Sequence, residues 1–193
     1  MQTRSIPLLA TLLALTLPFA IPAAAGELTP LAEKAEAALA AGKAGAAVDA
    51  LDAALDVVWK ATPLTFRKAL FVSEPPTGFG AYVERADAVF TPGQPLLVYA
   101  EPIGFEWKQA DGLFTCDLII DVALRDPAGK VLFEKREIGR MALKSHARNH
   151  EFMMKLDLNL RGLPVGDYVL DGIMRDEVSK KWGSFSLPFS VKG

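Results

Sequence analysis

The chain has two histidines, His146 and His150, and one cysteine, Cys116. Imidazole or thiol chemistry would have to pass through these three side chains. On a helix, the spacing of four residues would put both imidazoles on one face, within reach of a single metal ion and beside Glu151. In an extended strand the same spacing separates them by roughly 13 Å, too far for one ion. The run from Lys144 to Glu151 is polar and leads into an apolar alternation at Phe152, so it reads as a solvated connection. The residues ask for no metal and no cofactor, and a metal-binding protein or metal-dependent enzyme using His146 and His150 is a rival reading.

Cys116 falls in the series Phe114, Cys116, Leu118, Ile120, Val122, Leu124, the phase of a strand that faces a core, where a thiol is inert. Asp117 and Asp121 share the opposite face with Arg125. Along one strand they are roughly 13 Å apart, beyond the separation of a glycosidase pair, and alternating charges on such a face are expected to be solvated. There is no Gly-x-Ser-x-Gly turn, and Ser184 sits in a strand pattern. No glycine-rich loop opens a helix, so nucleotide phosphates have no cradle. The expectation is a protein that is not an enzyme.

The segment from Tyr99 to Trp107 could bind. It gathers Tyr99, Phe105 and Trp107 around Pro102 and Gly104, with Glu101 and Glu106 alongside. As an edge loop it would fold its aromatics onto the core. As a recognition surface at one end of a sandwich, Tyr99, Glu101, Phe105 and Trp107 would offer contact area at low entropic cost to a basic or hydroxyl-rich partner. We carry the second reading forward as the predicted site, with another envelope protein or a glycan as the partner. A carbohydrate-binding sandwich using these aromatics is its variant.

These residues need elements to hold them. From Thr29 to Trp59 the pattern is helical, with Thr29 as N-cap and Pro30 at the first helical position. Leu31, Ala35, Ala38 and Leu39 mark one apolar face; Gly42 to Gly45 interrupt; Ala47, Val48, Leu51, Ala54, Leu55 and Val58 resume the period on a second helix. A pair of helices cannot bury its own face. Leu51 and its neighbours are expected to be covered by the downstream domain or by another protein. Thr62-Pro63 suggests a third short helix through Phe66, Ala69 and Leu70, ended by Glu74-Pro75-Pro76.

Beyond residue 80 the chain alternates β-favouring runs with turns at Thr91-Pro92-Gly93, Asp126 to Gly129 and Leu163 to Asp167. The runs are Tyr82 to Phe90, Leu96 to Ala100, Phe114 to Arg125, Val131 to Ile138, Phe152 to Leu160, Tyr168 to Arg175 and Phe185 to Val191. They predict a mainly β fold, an antiparallel immunoglobulin-like β-sandwich preceded by a helical hairpin. The predicted divisions are a leader over 1–25, helices over 26–73, a linker over 74–80 and the sandwich over 81–193.

The first residues predict the compartment. Met1 to Arg4, an apolar run from Ile6 to Phe19 and Ala23-Ala24-Ala25 follow the order of a signal peptide cleaved after Ala25. Residue 26 is glycine, so no thiol is available there for a lipid anchor, and no later run has the length of a membrane span. A periplasmic or secreted protein without a membrane anchor after cleavage is expected. The net charge of −2 and the lack of a basic stripe exclude nucleic acid as a partner.

Three resemblances add to this reading. Ala35, Gly42, Ala47, Ala54 and Leu55 resemble one tetratricopeptide repeat, with Trp59 where that repeat places a proline. Tyr168 after Gly166-Asp167 resembles the tyrosine corner of immunoglobulin-like sandwiches, which implies fold alone. The strings EPPTGFGAY, FTPGQPLLVYAEPIGFEW and GLPVGDYVL resemble an uncharacterised family of exported proteobacterial proteins with this layout. That likeness implies a bacterial periplasm and carries no activity with it.

Overall fold

The computed structural model describes residues 25–159 and 161–193; the predicted leader, apart from its last residue Ala25, lies outside them. Two helices come first, α1 (Ala25–Ala40) and α2 (Ala44–Ala61), paired as a hairpin. Ala35, Ala47 and Ala50 are buried, and such small side chains let two helices approach closely. Helix α1 starts earlier than predicted, so Thr29 does not cap it and Pro30 lies inside it. A proline there removes one helical bond, to the carbonyl of Gly26. Gly26 is exposed, so water can replace that partner.

The third helix does not exist; its residues form β1 (Thr65–Phe71). Strand pairing outweighed a local helical preference, because β1 lies antiparallel against β3 (Leu96–Ile103) from Thr65↔Ile103 to Phe71↔Val98. The helical segment therefore ends at Ala61, and the chain from Thr65 onward already belongs to the sandwich.

The first sheet runs β1-β3-β7, with β7 spanning Met154–Leu158. The second sheet contains β2 (Val89–Phe90), β4 (Lys108–Ala110), β5 (Leu113–Arg125), β6 (Val131–Ser145), β8 (Gly166–Asp176) and β9 (Trp182–Val191). Its order is β2-β9-β8-β5-β4, with β6 also on β5. Phe114 and Thr115 pair with both β4 and β6, so those two strands flank β5 on opposite sides. The long strand predicted from Tyr82 shrinks to β2, parallel to β9.

Between the sheets lie Val98, Ala100, Leu118, Ile120, Val122, Leu156, Leu170, Met174 and Phe189, all buried. The Tyr168 hydroxyl donates to the Pro164 carbonyl at 2.9 Å, making the predicted corner. On one side the sheets close on each other: a Cβ at Gly183 of β9 would lie 2.1 Å from the Leu64 carbonyl oxygen, and Phe66 meets Phe185 edge to face. On the other side the sheets end at β7 and β6, and the sandwich stays open.

Helix α2 docks by its last turn. The Trp59 indole N–H donates to the Phe105 carbonyl at 2.8 Å, and its ring meets those of Phe105 and His150. The Lys181 ammonium donates to the carbonyls of Lys60, Thr62 and Gly104 at 3.1, 3.0 and 2.9 Å, tying the helix C-terminus to the sandwich. The sandwich does not cover the rest of the apolar stripe. Val48, Leu51, Leu55 and Val58 are 56%, 55%, 37% and 45% exposed.

Candidate functional site

The predicted aromatic surface is buried. Tyr99, Glu101, Phe105 and Trp107 are 0%, 6%, 1% and 7% exposed. A glycan can stack only on exposed rings, so the carbohydrate-binding variant loses its premise. Strand β3 runs on to Ile103 instead of stopping at a loop, and its alternation splits the four residues. Tyr99 and Glu101 take the outer face of the first sheet. Phe105 and Trp107 turn into the interior, 5.7 Å apart between centroids, and both meet Phe152.

Gly104 explains how close the packing is. Its φ is +79°, and a Cβ there would lie 2.4 Å from the Pro63 carbonyl oxygen. Only glycine allows the bend to sit against the chain leaving α2. The aromatic segment is thus the socket for the helical hairpin. The Trp107 indole N–H is buried without a hydrogen-bond partner among the described residues.

On the outer face, the Tyr99 hydroxyl accepts from the Gly80 amide at 2.8 Å and donates to a Glu101 carboxylate oxygen at 2.7 Å. Burial and the Glu101 carboxylate push its pKa up to about 12. Lys68 donates to the Tyr82 hydroxyl at 2.5 Å, and that bond raises the ammonium's pKa. Both shifts lead away from neutral pH, so neither group is suited to trade protons there. The cluster pins the segment around Gly80 to the sheet.

The remaining candidates are also accounted for by structure. Burial pushes the Cys116 thiol up to about 11, which keeps it protonated. His146 and His150 lie on the connection between β6 and β7, as predicted, and His150 turns away to Trp59. Its Nε2 is 3.2 Å from an Asp56 oxygen but makes no hydrogen bond among the described residues, while Arg148 pairs with the same carboxylate. Among the described residues no group of three or more His, Cys, Asp or Glu could hold a metal ion.

The outward carboxylates of β5, expected to be solvated, are instead cross-strand ion pairs. Asp117 pairs with Arg140, and Arg125 with Asp171. Asp121, only 7% exposed, accepts from Arg175 at 3.1 and 3.2 Å and from the Glu137 amide at 2.7 Å. Burial would raise the Asp121 pKa; Arg175 and the Glu137 amide outweigh it and hold the carboxyl below its ordinary range. The Glu137 amide belongs to a bulge in β6, between the pairs Ile120↔Gly139 and Val122↔Lys135, where Glu137 itself has φ 51°.

That bulge shapes a large concavity on the open side of the sandwich. Opposite the core series Cys116, Leu118, Ile120, Val122 and Leu124, strand β6 presents Leu143, Met141, Gly139, Lys135 and Phe133. Ile120 fills the space beside Gly139, where a Cβ would lie 3.1 Å from its Cγ2, and Lys135 is exposed rather than packed into the core. Opposite Val122, β6 therefore supplies no apolar side chain to the core. A cleft of about 570 Å³ opens between β6 and β7, lined by Ile120, Met141, Met154, Leu156, Leu170 and Met174 among others, with Lys135, Lys155 and Asp157 also on its walls. It has the size and apolar lining of a ligand site. The sequence carried a faint sign of it, a lysine in the inward phase of a strand, but the phase depends on a bulge set by Asp121 from the neighbouring strand.

No protein-family model matches the chain, and no curated protein matches it. Among solved structures it is similar to superoxide reductase (neelaredoxin) from Ignicoccus hospitalis, with 13% identity, 66% of this chain and 82% of that chain covered, and a TM-score of 0.36. It is also similar to Spo0M, a sporulation control protein from Bacillus subtilis, with 8% identity, 68% of this chain and 50% of that chain covered, and a TM-score of 0.36. The likeness is distant and concerns the β-sandwich fold alone.

Proposed function

We propose that this chain is a non-catalytic binding module of the bacterial periplasm, and that its ligand enters the cleft between β6 and β7. The observation that carries this reading is an apolar cavity of about 570 Å³ on the side where the sandwich is open. Elsewhere the titratable groups discussed are locked in ion pairs, hydrogen bonds or the core, which supports binding over catalysis. The leader-like first residues and the resemblance to exported proteobacterial proteins support the compartment.

Anilinonaphthalene sulfonate tests the site. The native chain should bind it saturably, one dye per chain. Lys135→Trp, which places an indole in the cleft from an exposed position, should weaken binding by about tenfold or more. Leu51→Asp, on the exposed helical stripe, should leave both dye binding and melting temperature unchanged, since exposed positions rarely move stability beyond about 0.5 kcal/mol. Loss of dye binding in the Leu51 variant but not in the Lys135 variant would move the apolar site to the hairpin and overturn the proposal.

A further inference from the structure

We propose, resting on the cleft as the binding site, that its occupant is an extended segment of another envelope protein. The segment adds a strand beside β7 and sets alternate apolar side chains between the two sheets.

The sheet plan leaves β7 with a free edge. Strand β1 pairs with β3, β3 with β7, and no strand of the described residues lies beyond β7; the other sheet runs β2-β9-β8-β5 and ends at β6 on the open side. In the constant-type immunoglobulin sandwich the corresponding sheet is the four-stranded one, with a strand beyond the position of β7. Here β6 extends the other sheet beside β5, and the chain goes from Ser145 to Met154 through an irregular connection. The core residues Ile120, Leu156 and Met174, buried between the sheets, form the inner wall of the cleft.

Backbone chemistry decides between a peptide and an acyl chain. The free edge of β7 presents amide N–H and carbonyl groups along one flank of the cleft. An acyl chain seated there would bury those groups without partners, which is costly, whereas an added strand pairs with them. The five residues of β7 span about 17 Å, room for alternate side chains of a strand of similar length to enter the cleft. Charge adds a preference. Lys135 and Lys155 are on the cleft walls with one acidic residue, Asp157, and neither lysine has an ion-pair partner among the described residues. A segment with acidic residues flanking its apolar alternation is the complementary one.

The test selects nine-residue peptides from a display library against the full chain and synthesises those recovered. Recovered peptides should slow hydrogen exchange at the amides of Met154–Leu158 by tenfold or more. Methylating alternate backbone nitrogens of a peptide should weaken it at least tenfold in one of the two phases. Excess dodecanoate should not displace it, and Lys135→Trp should abolish binding. Displacement by dodecanoate, indifference to methylation in both phases, or protection away from β7 overturns the strand while leaving the cleft as a site. So does a selection that yields no peptide from a chain whose dye binding still depends on Lys135. A concentration-dependent dimer that protects the same amides assigns the cleft to a second copy and likewise overturns the proposal. If dye binding is also indifferent to Lys135→Trp, the cleft reading fails too.

Discussion

Trp107 shows how residue type and residue role come apart. An indole beside a proline and a glycine has the composition of a recognition loop, yet Trp107 is packed against Phe105 and Phe152. Trp107→Ala should lower unfolding stability by about 3 to 5 kcal/mol, measured by urea denaturation, since it empties a large buried volume. Tyr99 makes a prediction with pH. An ordinary tyrosine loses its proton near 10, and this one holds it to about 12. The contribution of a raised folded-state pKa is fully present below the unfolded value and is lost as pH climbs through the folded one. Stability should therefore fall between pH 10 and about 12, and Tyr99→Phe should flatten that fall in alkaline melts while lowering stability at pH 7 by about 1 to 3 kcal/mol, because Glu101 and the Gly80 amide lose their partner.

At the scale of elements, the helical hairpin is held by its tip. Its apolar stripe contributes little to the contact; Trp59, Asp56 and the carbonyls bound by Lys181 contribute most of it. Lys181→Ala leaves three carbonyls without their shared donor and should cost about 1 to 3 kcal/mol. Hydrogen exchange should then speed up in the last turn of α2 while β8 and β5 stay protected. Equal acceleration throughout would show that hairpin and sandwich open as one unit. The exchange of a predicted third helix for β1 belongs to this scale as well. Phe66, Ala69 and Leu70 suit either periodicity over so short a run, and the partner strand β3 settles the choice.

The whole molecule is closed along one side and open along the other, and this asymmetry has a dynamic consequence. Where β1 meets β9, the close approach at Gly183 and the Phe66–Phe185 contact hold the two sheets together. Where β6 faces β7, no strand pairing bridges them. Native-state exchange should be fastest on the outer edges of β6 and β7 and slowest in β5 and β8, which are paired on both sides. A uniform profile would mean that the open side is not a locally mobile edge. The sequence by itself determined the class of fold, because alternation in Phe114 to Leu124 and Phe152 to Leu158 and the helical period from Ala35 to Val58 are local signals of burial. It also determined the corner at Tyr168 and the inert cysteine. Only the tertiary structure decided which aromatics are inside, where β1 lies, how Asp121 is paired and that β7 keeps a free edge beside a cleft. Each of those depends on a partner distant in the chain: Phe105 on Trp59, β1 on β3, Asp121 on Arg175, and the cleft on a bulge that shifts β6 against β5. Periodicity reports that a residue is buried or exposed, and it cannot report against what.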